Sequence, residues 1–275
     1  MPSKYPFSRV SLLGCGWLFT PLAQYLQNKK LKIKVSVTQK EKQESLKKQG
    51  LDCFLLSCKQ SLIGDYELFF DTDCLLIGLP FKRSFSDPFI YLDQIKMIYQ
   101  KLEASSVSYV LFTSSTGIYD GCEGQVTENT NLCIKKPRVD ALNQVEQYIL
   151  THPRIKSCVV RLAGLYGPNR DIAAFWAGKT CAKPAYDPVN LIHQQDCIEI
   201  LSGLLQCQFR GVYNVVSDAH PTRKELYETH AKIKGFSSPV FTNLTKTSNP
   251  RKVSNNKLKK TLQYQFIHPN PLCVR

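Results

Sequence analysis

Two glycines after an apolar run form the first stretch of this sequence whose residue types suggest chemistry. The run that begins at Val10 ends in Gly14-Cys-Gly16, and apolar residues then return at helical spacing. Glycine at 14 permits a sharp turn, and glycine at 16 lets a pyrophosphate approach backbone N–H groups and the positive end of a helix. The pattern predicts a strand, a tight turn and a helix that open a dinucleotide-binding unit. The full fingerprint has a third glycine where this chain has Phe19, so a plain tight turn is the alternative interpretation.

The residues after the second predicted strand, 33–37, bear on which dinucleotide would bind. They read Thr38-Gln-Lys40, whereas NAD-binding units usually carry an acid there for the ribose hydroxyls. Because Lys40 is close and no carboxylate is present, a ribose 2′-phosphate would bind here more favourably than a bare 2′-hydroxyl, which favours NADP over NAD. The alternative is that Lys40 only opens a charged helix predicted over 40–49.

A run of hydroxyl side chains, from Ser114 and Ser115 to Tyr119, follows an apolar strand predicted over 109–113. Ligands of open α/β sheets bind at the carboxyl ends of the strands, so the position supports a functional interpretation more than the residue types do. The phenol of Tyr119 could donate a proton if a nearby cation lowered its pKa. The alternative is a structural tyrosine that packs under a small lobe of the protein.

The elements that must position these residues alternate between strands and helices. The alternation predicts an α/β fold, a Rossmann-type doubly wound parallel sheet covered on both faces. The segments 168–190 and 236–256 are irregular and rich in Pro, Ser, Asn and Lys, which suits a small lobe over the sheet edge. We therefore divide the chain into an NAD(P)-binding Rossmann domain, 1–167, and a mixed segment, 168–275. The mixed segment is expected to complete the sheet over about 189–235 and to form the lobe.

Length and composition restrict the class of protein. The chain has 275 residues and no uninterrupted apolar run near the roughly 18 residues of a membrane span. Met1 to Lys4 lead directly into a strand rather than into a signal-peptide pattern, so we expect a cytoplasmic protein that does not enter the membrane.

The cysteine and histidine contents give no sign of a disulfide framework or a metal site. The eleven cysteines include no C-x-x-C pair, and the five histidines are scattered. We expect buried thiols in a reducing compartment at the cysteines that fall in apolar segments. These are Cys15, Cys74, Cys158 and Cys207.

A net charge of +14 raises the question of an anionic partner. Lysines crowd the ranges 29–48 and 246–260, but no stacking aromatic residues are interleaved as single-stranded nucleic acid would require. A solvated basic face is therefore favoured over a nucleic-acid site, and a small molecule is the expected partner.

Five motifs occur in an order that resembles a known family. They are Gly14-Cys-Gly16, Ser114-Ser-x-x-x-Tyr119, Arg161-Leu-Ala-Gly-Leu-Tyr-Gly-Pro168, Ile192-His-x-x-Asp196 and Val212-Tyr-Asn-Val215. From Arg9 to about Pro269 the chain is similar to the extended short-chain dehydrogenase/reductases, and more closely to the atypical YeeZ-like branch of the NAD-dependent epimerase/dehydratase family. The resemblance implies a Rossmann domain with a small C-terminal substrate lobe, a bound NAD(P), and a homodimer formed through the helices near 88–102 and 137–150. The cofactor-binding residues that we predict are Gly14, Gly16, Trp17, Leu18, Thr38, Lys40, Leu79, Pro80, Ser114 and Ala163.

The resemblance also implies which residues act on the substrate, and here the chain departs from the pattern. Ser115 matches the serine that polarises a substrate hydroxyl or carbonyl. The family's tyrosine and lysine, four residues apart on the next helix, are replaced by Arg138 and Leu142. We predict Ser115, Tyr119 and Arg138 as the catalytic set. Arg138 would be either the cation beside the Tyr119 phenol or a ligand for a substrate carboxylate or phosphate.

Two functions of different classes remain open at this stage. The first is an oxidoreductase or epimerase/dehydratase-like enzyme that binds NAD(P) and acts on a small polar metabolite, such as a sugar or nucleotide sugar. The second is a non-catalytic sensor or scaffold that binds the same cofactor. For His193 and Asp196 the resemblance implies a strand-to-helix junction, with Asp196 predicted as the N-cap of the helix.

Overall fold

A computed structural model describes residues 5–59 and 61–273. The strands are β1 (Arg9–Leu13), β2 (Lys32–Val37), β3 (Asp52–Leu55), β4 (Ser57–Cys58), β5 (Leu62–Ile63), β6 (Cys74–Ile77), β7 (Tyr109–Ser115), β8 (Gln125–Val126), β9 (Lys156–Leu162), β10 (Gly164–Tyr166), β11 (Thr180–Cys181), β12 (Leu191–His193), β13 (Gly211–Val215), β14 (Val240–Phe241) and β15 (Lys252–Val253). The α-helices are α1 (Phe19–Asn28), α2 (Lys40–Lys48), α3 (Tyr66–Phe70), α4 (Ile90–Leu102), α5 (Pro137–Leu150), α6 (Ile172–Trp176), α7 (Gln194–Cys207), α8 (Arg223–Lys234) and α9 (Asn256–Leu262).

A seven-stranded sheet with the order β13-β9-β7-β6-β1-β2-β3 forms the centre of the fold. The pairings β2–β3, β1–β2, β1–β6 and β6–β7 are all parallel. Every residue of β6 is buried, as a strand covered on both faces requires. The predicted Rossmann-type parallel sheet is confirmed.

The chain forms two compact units, each made of segments that interleave along the sequence. The first unit comprises the residues through Ser114 together with Ile134–Val160 and Leu201–Val212. The second comprises Ser115–Cys133, Arg161–Ile200 and the residues from Tyr213 onward. Our division of the chain into 1–167 and 168–275 follows the role expected of each part, and it stays a prediction.

In the second unit, the ends of helix α8 have clear sequence causes. The Thr222 hydroxyl accepts a hydrogen bond from the Glu225 amide, and the Glu225 carboxylate accepts one from the Thr222 amide, so a capping box starts the helix. Gly235 ends it in the left-handed conformation, with φ of 70°. Leu226 and Tyr227 on this helix pack with Cys181 as a small core, against which Trp176 and Phe241 also lie.

Two sequence expectations about local structure are wrong. Cys207 is exposed at the last position of α7, whereas Cys15, Cys74 and Cys158 are buried as predicted. Asp196 is the third residue of α7 rather than its N-cap, because the helix begins at Gln194.

Within residues 5–59 and 61–273, no helix combines the length and the apolar character needed to cross a bilayer. The same residues contain no group of three or more His, Cys, Asp or Glu side chains that could hold a metal ion.

Candidate functional site

The glycine turn between β1 and α1 is fixed by one buried serine of the neighbouring strand. Gly14 has φ of +89°, which favours glycine, and its amide donates to the Ser36 hydroxyl at 3.1 Å. The Cys15 amide donates to the Ser36 carbonyl at 2.7 Å. The N–H groups of residues 14 and 15 are therefore used within the protein. Gly16 is the next residue of the turn at which an anion could approach the backbone.

Gly16 fits that role because nothing crowds it. A methyl group built on Gly16 would meet no atom closer than the Gly14 carbonyl oxygen, at 3.9 Å. Helix α1 follows immediately, and its N-cap, Leu18, offers no side-chain hydrogen bond to the first turn. An open glycine before a ten-residue helix without a side-chain cap is a suitable place for a phosphate. The turn therefore fits a dinucleotide.

Phe19 occupies the fingerprint's third glycine position without covering the turn. Its ring is buried, 3 % exposed, and lies on Gly78 just beyond the end of β6. A methyl group at Gly78 would come within 2.5 Å of Phe19 Cε2 and 2.7 Å of Cζ, distances that no carbon pair tolerates. In the fingerprint, a glycine on the helix allows the helix and the strand to pack closely. Here the helix carries Phe19, and Gly78 on the strand side makes room for its ring.

The carboxyl end of β6 lies directly beside the turn. A methyl group on Gly14 would be 3.0 Å from the Gly78 carbonyl oxygen and 3.5 Å from a methyl carbon of Leu79. Leu79 is held from the other side, because its carbonyl accepts a hydrogen bond from the buried Tyr91 hydroxyl at 2.8 Å. Pro80 follows and is exposed. The structure thus brings Gly14, Leu79 and Pro80 to one edge, as the cofactor prediction requires.

Ser114 and Thr38 occupy the ends of two other strands of the sheet. The buried Ser114 hydroxyl donates to the Glu146 carboxylate at 2.5 Å, a bond between β7 and α5 that the sequence did not reveal. Thr38 and Lys40 are exposed after β2, and Lys40 is also the first residue of α2. Both interpretations of Lys40 are compatible with this position, since a residue that opens the helix also stands at the strand end.

Ser115, the last residue of β7, caps the short 3₁₀ helix Thr116–Tyr119. Its hydroxyl oxygen accepts from the Gly117 amide at 3.0 Å, and the side chain is exposed. The accepted bond fixes the oxygen and leaves the hydroxyl hydrogen able to donate to a ligand. This geometry suits a group that polarises a carbonyl or hydroxyl oxygen.

Tyr119 does not meet the condition that we set for a proton donor. The side chain is fully buried, and its hydroxyl donates to Asn214 Oδ1 at 2.8 Å or to the Thr127 carbonyl at 3.0 Å. Burial raises the pKa of the phenol, an effect that the neighbouring Arg161 opposes without reversing. The cation in contact is therefore Arg161, whose Nη1 donates to the phenol at 2.7 Å, and not the predicted Arg138. This network supports the structural interpretation of Tyr119.

Arg138 and Leu142 both lie on α5, and both contact other parts of the protein. The Arg138 guanidinium donates to the Phe81 carbonyl at 3.0 Å and to the Lys82 carbonyl at 2.9 Å. Leu142 is 4 % exposed, so the position of the family's lysine belongs to the core.

In the second unit, His193 and Asp196 form part of a junction that holds the C-terminal segment. The buried Asp196 carboxylate accepts hydrogen bonds from the Tyr264 hydroxyl at 2.8 Å and from the amides of Ile267 and His268 at 2.7 and 3.0 Å. The rings of His193 and His268 are 3.6 Å apart at their centres. This geometry supports the structural role that we expected for both residues.

The last two predicted cofactor residues differ in exposure. Ala163 is buried just after β9, where its amide donates to the Val215 carbonyl at 3.0 Å. Trp17 is half-buried between Gly16 and α1. Ser36, Gly78 and Glu146 support the site and were not predicted. A polar residue inside the otherwise apolar end of β2 was the one signal that could have identified Ser36.

Comparison with known proteins gives relatives of similar length and solved structures with a common fold. No family model matches the chain. The chain is 32% identical to Protein YeeZ of Escherichia coli strain K12 over 272 residues, which cover 97% of this chain and 98% of that protein. It is similar to the structure of UDP-glucuronic acid 4-epimerase from Bacillus cereus in complex with NAD, with a TM-score of 0.76, 15% identity and coverage of 94% and 93%. A functionally unknown conserved protein from Silicibacter pomeroyi has a TM-score of 0.73, 21% identity and coverage of 96% and 95%.

Proposed function

We propose that this chain, which belongs to the YeeZ family, binds NAD or NADP at the glycine turn between β1 and α1. The observation that carries the proposal is the open space at Gly16 in front of a helix without a side-chain cap. The fold is that of an epimerase whose structure contains NAD, which supports the same conclusion.

The residues that would hold the cofactor lie along one edge of the first unit. Gly16, Trp17 and Leu18 would face the diphosphate, and Thr38 and Lys40 the adenosine ribose, where Lys40 favours the 2′-phosphate of NADP. Leu79, Pro80 and Ser114 continue the edge at the ends of β6 and β7. When bound, a nicotinamide supplies reversible two-electron oxidation and reduction.

We further propose that Ser115 acts on the substrate, by donating a hydrogen bond to the oxygen at which charge develops. Its oxygen is fixed by the Gly117 amide, so the donor is held in place before a substrate arrives. The substrate would be a small polar metabolite such as a sugar or nucleotide sugar, the class to which the UDP-glucuronic acid of the Bacillus cereus enzyme belongs. The reaction would be an oxidation, reduction or epimerisation.

One observation favours the non-catalytic alternative. The positions of the family's tyrosine and lysine hold Arg138, bonded to two carbonyls, and the buried Leu142. Neither can provide acid/base chemistry at neutral pH. A chain that binds NAD(P) tightly and turns nothing over would be a sensor or scaffold.

Cofactor binding can be tested with the chain's own fluorescence. Trp176→Phe leaves Trp17, beside the turn, as the only tryptophan. We expect energy transfer from Trp17 to NADH or NADPH on titration. Gly16→Val should abolish the signal with little change in the free energy of unfolding, because its Cβ meets no protein atom closer than 3.9 Å. A valine variant that binds as tightly as the native turn would refute the site.

Catalysis is tested by a matched pair of variants at Ser115. Ser115→Ala should reduce kcat by about 10²-fold and leave cofactor affinity unchanged, whereas Ser115→Thr keeps a hydroxyl and should retain most activity. Ser238→Ala, at an exposed position, controls for the loss of a serine as such. Turnover is sought with a panel of sugars, nucleotide sugars and keto compounds. Tight NAD(P) binding, with no turnover of any compound, would establish the sensor instead.

The homodimer through α4 and α5 stays a prediction. Light scattering of the purified chain measures it directly, and a mass of 31.3 kDa would contradict it.

A further inference from the structure

The segment after β6 is fastened to the start of α5 by Arg138. Besides its two hydrogen bonds to the Phe81 and Lys82 carbonyls, the guanidinium carbon lies 3.9 Å from the centre of the Phe81 ring. Phe81 in turn stacks on the buried Tyr91, with ring centres 4.8 Å apart and planes 15° apart. Arg138 therefore fixes the backbone of residues 81 and 82, and with it the starting points of the side chains of Lys82 and Arg83.

The backbone that Arg138 binds carries two further cations, Lys82 and Arg83. Lys82 and Arg83 are exposed, and Arg83 directly follows the carbonyl that Arg138 binds. Burial, and after it the positive charge of Arg83, lower the pKa of Arg138, which remains charged at neutral pH. Within residues 5–59 and 61–273, no carboxylate forms a salt bridge with Lys82, Arg83 or Arg138. The repulsion between the like charges of Arg83 and Arg138 is relieved when an anion binds beside them.

The nearest acidic residues along these segments have other partners. The Asp87 carboxylate accepts from the Phe89 amide at 2.9 Å, and the Asp140 carboxylate accepts from the Gln144 side chain at 3.1 Å. Each of these carboxylates stabilises a local turn or helix, and neither forms a salt bridge with the basic cluster, Lys82, Arg83 and Arg138, in the part of the chain that the structure describes.

The cluster begins where ligands of such folds bind. Gly78 lies beside the glycine turn, because a methyl group built on Gly14 would be 3.0 Å from the Gly78 carbonyl oxygen. Only three residues separate Gly78 from Lys82. We propose that Lys82, Arg83 and Arg138 bind a phosphate monoester group of the substrate. A phosphate monoester carries nearly two negative charges at neutral pH and three acceptor oxygens, which suit several separate cationic donors better than a carboxylate does. This site rests on the proposed function for its role in a reaction, although its ligand chemistry stands on the cluster alone.

The site can be tested by calorimetric titration of inorganic phosphate at constant ionic strength, in the absence and presence of saturating NADH. Arg83→Gln and Lys82→Gln should each weaken phosphate binding about tenfold, the loss expected for one charge-assisted hydrogen bond. Both variants should keep the segment in place, because Arg138 binds the backbone and not these side chains. Their affinities for NADH should stay within about twofold of the native value. Lys48→Gln removes the same charge from an exposed position on α2 and should change nothing.

Each other outcome has a definite meaning. Phosphate binding that Arg83→Gln leaves unchanged, or that Lys48→Gln weakens equally, would overturn the site. Acetate that binds as tightly as phosphate would overturn the phosphate class, and displacement of phosphate by NADP but not NAD would assign the cluster to the cofactor. Repeating the titration in Gly16→Val separates the two proposals. Phosphate binding that survives there but is lost in Arg83→Gln supports the cluster even if the native chain binds no dinucleotide.

Discussion

Gly78→Ala tests whether the strand-side glycine replaces the missing glycine of the fingerprint. The new methyl carbon would lie 2.5, 2.7 and 2.9 Å from three atoms of the Phe19 ring, whereas carbon atoms in contact are about 3.5–4.0 Å apart. The ring, which is 3 % exposed at the start of α1, would have to move by about 1 Å into packed neighbours. Overpacking of this kind costs about 1–3 kcal/mol, and the unfolded-state benefit of Gly→Ala offsets less than about 1 kcal/mol. We expect a net loss of about 2 kcal/mol.

The ring can be identified as the cause with a double-mutant cycle. Phe19→Leu trims the atoms nearest Gly78 and leaves a cavity that an alanine methyl would partly fill. The double variant should therefore be at least about 1 kcal/mol more stable than the sum of the two single losses predicts. Gly16→Ala is the matched control on the same turn, since a methyl there meets nothing closer than 3.9 Å.

Urea unfolding followed by circular dichroism measures the four free energies, and Trp17 fluorescence measures NADH affinity for each variant. The hypothesis that Gly78 replaces the third glycine of the fingerprint would be refuted by either of two results. One is a Gly78→Ala variant whose stability is within about 0.5 kcal/mol of that of the native chain, and the other is simple additivity of the Gly78→Ala and Phe19→Leu losses. A loss of NADH affinity in Gly78→Ala without a loss of stability would refute the view that the clash is confined to the core.

Three further predictions concern single residues. Lys40→Ala should weaken NADPH binding more than NADH binding, and equal losses would remove the 2′-phosphate contact. Asp196→Asn takes away the carboxylate that accepts three hydrogen bonds, so we expect a loss of about 2–3 kcal/mol in urea and faster proteolysis within residues 263–273; native-like protection would contradict the role. Burial, and after it the charge of His268, lower the pKa of His193 to about 4 from an ordinary value of 6.5, against the opposing charge of Asp196. Between about pH 6.5 and pH 4 the unfolded chain takes up a proton that the folded chain excludes, so stability should fall by about 2 kcal/mol after allowance for partial exposure. His193→Gln should flatten that fall, and an unchanged pH profile would contradict it.

The fold could be predicted because its causes are local and repeated. Apolar runs such as Cys74–Ile77 and the alternation of strands with amphipathic helices specify a parallel sheet wherever they occur in the chain. Gly14 and Gly16 could be identified for the same reason, since Gly14 needs a positive φ and Gly16 leaves room for a ligand at a helix start, both within a short stretch of sequence.

The supporting contacts of the site could not be predicted, because they join residues far apart in sequence. Phe19 and Gly78 are 59 positions apart, and each alone suggests a different role, an obstruction in one case and the end of a strand in the other. The same holds for Tyr119, for which the sequence offers more than one arginine as a partner. Only the structure shows that Arg161 makes the contact and that burial decides the direction of the pKa shift.

The departure from the family's tyrosine and lysine extends beyond two missing functional groups. At one position, Arg138 lies on Phe81 and binds the backbone of residues 81 and 82, so a tyrosine there would lose both hydrogen bonds. At the other, Leu142 is part of the core, and a lysine ammonium would be taken out of water. The start of α5 is therefore used to hold the segment after β6 instead of presenting an acid and a base. If the chain is an enzyme, the proton that moves in its reaction is therefore handled by a group other than the residues at these two positions.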